Sequence, residues 1–211
     1  MSGRFVGDRQ WALVDHDTGF GLTARRVPQL LLASARLIGN DAVEVELPDG
    51  SIVSDDEQLS SWLGRRVALQ RASEPTTYEI AADFEDEAGS EWWQWTGPSG
   101  SFHDSAAAQA SIVSTGSIGG WDRRRFRGNV IVEAGDRDED ALVGRQVRIG
   151  AARVDVVTQI ERCVMTTRPQ PGGIERDLGV LRTINAQRNA RLGVGAVVVG
   201  PGIMWLGDEV G

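Results

Sequence analysis

The chain has 211 residues and a formal charge of −8 from 22 basic and 30 acidic groups, with 41% hydrophobic residues, which suits one compact protein or two small subdomains. Every basic residue is Arg; there is no lysine, one Cys and two His. That composition excludes a pyridoxal aldimine, Schiff-base aldolase chemistry and a P-loop lysine, and equally an intramolecular disulfide, a four-ligand zinc site, an iron–sulfur cluster and a three-histidine metal centre.

Met1 to Gln10 lacks an apolar core of signal-peptide length, and no apolar run is long enough to span a bilayer, so the expectation is a cytoplasmic protein without a membrane partner. The acidic balance argues against general nucleic-acid binding, which needs a basic face.

In chain order, strands are predicted at Trp11–Asp15, Leu30–Leu37 and Ala42–Leu47, each rich in β-branched or apolar residues between turn formers. A helix follows: Ser54 stands three residues before Glu57 in capping-box spacing, Leu59, Trp62 and Leu63 share a face, and Gly64 stops it. Strands resume at Arg66–Gln70, Tyr78–Phe84 and Trp92–Trp95, with Trp93 and Trp95 on one side and expected to pack in a core. The least orderly stretch, Glu85 to Gly100, marks a boundary, giving domains 1–85 and 86–211. Beyond it come Ser111–Ser114, Asn129–Glu133, Gln146–Ile149, Arg153–Ile160 and Gly195–Val199, interrupted by a helix after Asp177 whose stripe is Leu178, Leu181 and Ile184. Leu63-Gly64-Arg65-Arg66-Val67 and Val143-Gly144-Arg145-Gln146-Val147 repeat one local solution, helix end, glycine cap, strand. Many short strands with few helices predict barrels or curved sheets.

Cys163 lies between an alternating strand and a Pro/Gly-rich loop, beside Arg162. It reads either as a small buried hydrophobe or as a stabilised thiolate, the form that ligates metal or attacks an electrophile. Arg123-Arg124-Arg125-Phe126-Arg127 places four arginines in five residues, suited to a phosphate gripped by planar guanidinium groups, or else to a solvated loop balanced by Asp136, Asp138, Glu139 and Asp140. Arg137, within that acidic loop, reads as an ordinary surface arginine. Asp104 beside His103 reads as a proton donor or as turn chemistry.

Several segments together resemble a MOSC domain: Phe126-Arg127-Gly128-Asn129-Val130-Ile131-Val132, Arg148-Ile149-Gly150, Glu161-Arg162-Cys163-Val164-Met165-Thr166-Thr167, Val180-Leu181-Arg182-Thr183 and Gly202-Ile203-Met204-Trp205-Leu206-Gly207-Asp208. Gly7-Asp8-Arg9-Gln10-Trp11-Ala12-Leu13-Val14-Asp15 and Leu22-Thr23-Ala24-Arg25-Arg26-Val27-Pro28-Gln29-Leu30 resemble the β-barrel domain that precedes MOSC in such proteins. The implied fold is mainly β, an N-terminal β-barrel subdomain packed on a MOSC barrel with a few short helices.

The resemblance implies a molybdenum cofactor, Mo-molybdopterin, with Cys163 as the metal's protein thiolate and as a catalytic residue. It places Arg25, Arg127, Asn129 and Arg162 around the cofactor, with Asp104 and Ser105 as the Asp-Ser pair beside the metal. The implied activity is reduction of N-hydroxylated or N-oxide-type small molecules with electrons from a separate redox protein. Two other readings stay open: Cys163 as a persulfide carrier in metallocofactor assembly, and a non-catalytic cofactor binding or delivery protein. The family's Pro-x-Lys-Ser strand has no counterpart, Gly128 stands where Pro is usual and Glu161 where a small polar residue is common. A lost first strand predicts low cofactor occupancy and an open edge at Trp11–Asp15, leading to a homodimer or a loosely packed N-terminus.

Overall fold

The computed structural model describes residues 5–39, 42–81, 91–97, 99–102 and 108–211. The fold is mainly β, as the strand spacing predicts, and it divides into two compact units, Gly7–Asp104 with Arg168–Arg176, and Met1–Val6 with Ser105–Thr167 and Asp177–Gly211. Among the described residues no helix is long and apolar enough to cross a membrane.

The first unit runs β1 (Trp11–Asp15), β2 (Ser34–Ile38), β3 (Ala42–Glu46), β4 (Ile52–Val53), α1 (Asp56–Leu63), β5 (Val67–Arg71), β6 (Thr77–Ala81) and β7 (Trp92–Thr96). β1 pairs with β5, β2-β3-β4 form a meander, and β6 pairs with β7, all antiparallel. Leu13, Val27, Val45, Leu47, Val53, Leu59, Leu63 and Val67 close one core, with Trp62 packed against it. The helix keeps its predicted apolar face and its glycine stop, Gly64 at φ 65°, but Asp55 rather than Ser54 caps it, accepting from Gln58 N at 2.8 Å.

Three further expectations are corrected in this unit. The strand predicted from Leu30 begins only at Ser34, because Pro28 opens a 3-10 turn over Pro28–Leu32 and lacks the amide a strand ladder needs. The edge of β1 is not open: Phe20 O accepts from Asp15 N at 2.9 Å and Leu13 O from Leu22 N at 2.8 Å, so residues 20–22 line it. Trp93 is 65% exposed, not packed. Its partner on that face, Trp95, stacks on Tyr78 across the register at 5.7 Å, while Trp92 on the opposite face lies under the Arg26 guanidinium at 4.1 Å.

Asp15 ends β1 as a buried polar anchor. It accepts from Asp17 N at 3.0 Å, Thr18 N at 2.9 Å and Arg65 Nε at 2.9 Å. Burial opposes its ionisation, yet the Thr18 amide and the Arg65 guanidinium outweigh that and hold its carboxyl below the usual range. A depressed folded-state value means the contribution is complete above the unfolded carboxyl value, near 3.9, and disappears as pH falls through the folded one. Asp15→Asn is therefore expected to lower stability by about 1–2 kcal/mol, since Arg65 is partly exposed. In urea unfolding the gap to the parent should be flat from neutral pH to about 5 and close below about 4.

The second unit contains β8 (Ala110–Ser114), α2 (Thr115–Ile118), β9 (Val130–Val132), β10 (Gln146–Ile149), β11 (Ala152–Glu161), α3 (Leu178–Arg188) and β12 (Arg191–Gly200). One five-stranded sheet has the order β10-β11-β12-β8-β9, antiparallel except for the parallel β8–β9 pair. Ladder irregularities along the ten-residue β11 bend it, which is how a sheet curls toward a barrel. Ile112, Val154, Val156, Val194 and Ala196 build the core on one side by strand alternation. On the other side Val113, Phe126 and Leu192 meet Val180 and Ile184 of α3. The α3 stripe is thus Val180 and Ile184 at i, i+4, while Leu178, predicted to be in it, is 41% exposed at the first turn. Asp177 caps this helix as expected, accepting from Gly179 N at 2.8 Å.

Candidate functional site

Cys163 sits where β11 ends. Arg162 N donates to Ala190 O at 2.7 Å, the last tie to the β12 side, and the chain then enters a 3-10 turn over Val164–Thr167. Cys163 O receives Thr166 N at 3.1 Å and Thr166 Oγ1 at 3.0 Å, so the backbone on both sides of the thiol is fixed. The thiol is unpaired with any other cysteine and half-buried.

Arg162 acts as a strut beneath it. Nε donates to Leu192 O at 2.7 Å and Nη1 to Phe126 O at 2.9 Å, with the guanidinium 5.6 Å from the Phe126 ring centre. Nη2 is buried and has no hydrogen-bond partner among the described residues. Burial pulls this guanidinium down to about 10, against the opposing charges of Cys163 and Glu139. Gly193, at φ 80°, makes the arrangement possible: a Cβ there would stand 2.8 Å from Val113 Cγ2 and 3.0 Å from Arg162 Nη2.

The arginine run divides by burial. Asp122 caps the 3-10 turn Arg123–Arg125, pairs with Arg124 at 2.7 Å and is held at about 2 by the Arg124 side chain. Arg125 is only 8% exposed and donates Nη1 to Thr166 O at 3.2 Å, bracing the Cys163 turn from a second direction. Arg127 is exposed, with its backbone left-handed at φ 51°, directly after the Phe126 carbonyl that Arg162 holds. Asn129 faces β8: its Oδ1 accepts from Ser111 N at 3.0 Å and Ser111 Oγ at 2.9 Å.

Arg162, Cys163 and the Phe126–Arg127 corner are therefore brought together within the second unit, with Asn129 stapling β9 to β8 beside them. Arg25 belongs to the first unit, half-buried in the turn after Thr23. Asp104 and Ser105, like His103, lie outside the described residues.

Two residues here escaped the sequence reading. Arg125 was one of four equivalent-looking arginines, and only its phase in the 3-10 turn separates it. Its acidic neighbours make Glu139 look like a solvated counter-charge in the sequence, yet it is 1% exposed. Asp136 instead pairs with Arg188, and Asp138 Oδ2 accepts from Gly135 N at 2.7 Å. Arg137 is exposed, as expected, with its guanidinium bonded to Gln187 O and its amide donating to Ser117 Oγ.

Among the described residues no group of three or more His, Cys, Asp or Glu lies together as a metal cluster. No curated protein is similar enough to this chain to stand as a relative. The MOSC N-terminal beta barrel domain family matches residues 1–113, and the MOSC domain family matches residues 100–211. The chain belongs to the MOSC family, which is associated with molybdenum-cofactor binding, and carries the family's N-terminal β-barrel domain ahead of its MOSC domain.

Proposed function

We propose that this protein holds a molybdenum cofactor through Cys163 and reduces N-hydroxylated or N-oxide-type small molecules, drawing electrons from a separate redox protein. The observation that carries the reading is the Arg162–Cys163 corner: a half-buried thiol on a braced turn, next to a guanidinium with one buried N–H group still unanswered. These residues fit the group. A soft thiolate suits a high-valent metal already bound by dithiolene sulfur. The exposed Arg127 suits the anionic pterin phosphate, which accepts paired guanidinium donors.

Bound there, molybdenum supplies a two-electron centre able to accept an oxygen atom. The chain's own contribution is placement: Arg125 and Arg162 lock the Cys163 turn, and Asn129 fixes the start of β9 beside it. Arg25 and Ser105 are assigned further cofactor contacts, and Asp104 the delivery of protons. Converting R–NH–OH to R–NH2 breaks the N–O bond, consumes two electrons and two protons, and releases water. One Cys cannot build an iron–sulfur relay, and the chain has no Gly-x-Gly-x-x-Gly dinucleotide fingerprint, so a partner protein supplies the electrons.

The test is to make the protein in a cofactor-producing host, measure molybdenum, and supply an aromatic amidoxime with a reduced viologen. Molybdenum and amidine formation are expected together. Molybdenum without reduction would replace this reading with a cofactor-delivery role, and sulfane sulfur on Cys163 without molybdenum would replace it with sulfur carriage.

A further inference from the structure

The second unit holds two buried groups of opposite charge, neither with a hydrogen-bond partner among the described residues. Glu139 is 1% exposed, and both its carboxylate oxygens lack hydrogen-bond partners. Arg162 Nη2 is in the same condition. Glu139 is nevertheless one of the charges that act on Arg162, although no ion pair within 4.0 Å joins them.

Their positions in the fold explain the coupling. The 3-10 turn Asp138–Leu142, which carries Glu139, packs against β8 and β12. Arg162 is bonded to β12 through Leu192 O, and its Nη2 lies against Gly193 and near Val113 of β8. Both charges therefore bear on the same two strands. Leaving either charge dry and unpaired costs more than a marginally stable fold sustains. Water answers both: it accepts from a guanidinium N–H and donates to a carboxylate oxygen, and buried sites with several polar partners retain it.

We infer that Glu139 is a positioning residue which, through buried water, holds the Arg162 guanidinium against Leu192 O and Phe126 O and so fixes the peptide leading into Cys163. This requires only the buried pair and stands whether or not the reduction proposed above is the reaction. Its failure is accordingly read on Arg162 itself and not on activity.

The experiment uses the full chain labelled with 15N and follows solvent exchange of the Arg162 Nε–H group, assigned by its loss in Arg162→Lys. In Glu139→Gln, which keeps the shape and removes the charge, that proton should exchange about tenfold faster as the Leu192 O bond loosens. Arg65 Nε–H, bonded to Asp15 in the other unit, should be unchanged. Glu139→Asp, which restores the charge on a shorter arm, should recover much of the protection. Unchanged Arg162 exchange in Glu139→Gln overturns the inference, and so does a Glu139→Asp variant as loose as the Gln one, which would make the role one of packing alone. Should Glu139→Gln fail to fold, a crystal structure of the parent decides: ordered water within hydrogen-bonding distance of both groups supports the inference. A dry gap, or a direct protein partner for Glu139, overturns it.

Discussion

Cys163→Ser is expected to abolish molybdenum retention while leaving the thermal unfolding of the protein within a degree or two of the parent. Serine nearly matches cysteine in volume, and the position is half-buried, so packing changes little. The backbone around it is held by Thr166 and Ala190, neither of which uses the thiol. The change falls instead on donor chemistry, where a protonated hydroxyl is a far poorer ligand for a soft-ligated metal than a thiolate. Protein from a cofactor-producing host, analysed for metal per chain, gives the answer. Equal molybdenum in parent and variant would remove Cys163 from the ligand role.

Much of the architecture is legible in the sequence because its signals are local. Gly64 and Gly144 both take left-handed φ after a helical turn and before a strand, at 65° and 83°, as the two similar segments suggest. Strand alternation along Val154, Val156, Val194 and Ala196 gives the sheet's packed face directly. Pattern fails where tertiary contacts choose between equivalents. Leu178 fits the helical stripe as well as Val180 does, yet Leu178 is 41% exposed while Val180 is buried with Val113 and Leu192. Trp93 differs from Trp95 only in its cross-strand neighbour.

The candidate site shows the same division. Cys163 stands out by being single, and Arg162 by adjacency, so both are readable. Glu139 is not, because nothing in Asp136-Arg137-Asp138-Glu139-Asp140 distinguishes a buried carboxylate from three others. Its burial follows from the 3-10 turn that packs against β8 and β12, a long-range fact. Asn129 was assigned by resemblance to the cofactor, and its Oδ1 is engaged by Ser111, so what it offers a cofactor comes from the rest of its side chain.

Arg162→Met should be the most damaging substitution in the second unit. Methionine fills the volume of the stem but leaves Leu192 O and Phe126 O without their donors and Glu139 without its counter-charge. Leaving two buried carbonyls without their charged donor costs about 1–3 kcal/mol each, a large share of the roughly 5–15 kcal/mol that holds a domain folded. The unfolding midpoint should drop by on the order of 10 °C or more. Arg36→Met is the comparator, since Arg36 is 70% exposed at its side chain and pairs with Glu44 on the neighbouring strand, where about 0–1 kcal/mol is expected. Arg162→Lys separates charge from geometry: an ammonium keeps the charge near Glu139 but cannot span two carbonyls from a planar fork, so its midpoint should fall between the parent and the Met variant. If Arg162→Met unfolds no earlier than Arg36→Met, the guanidinium is not the strut of the Cys163 turn. Because a half-unfolded unit would lose its cofactor for trivial reasons, molybdenum content is compared in the Lys variant below its midpoint. A folded Lys variant that has lost molybdenum shows that the fork, and not the charge alone, holds Cys163 in register with its ligand.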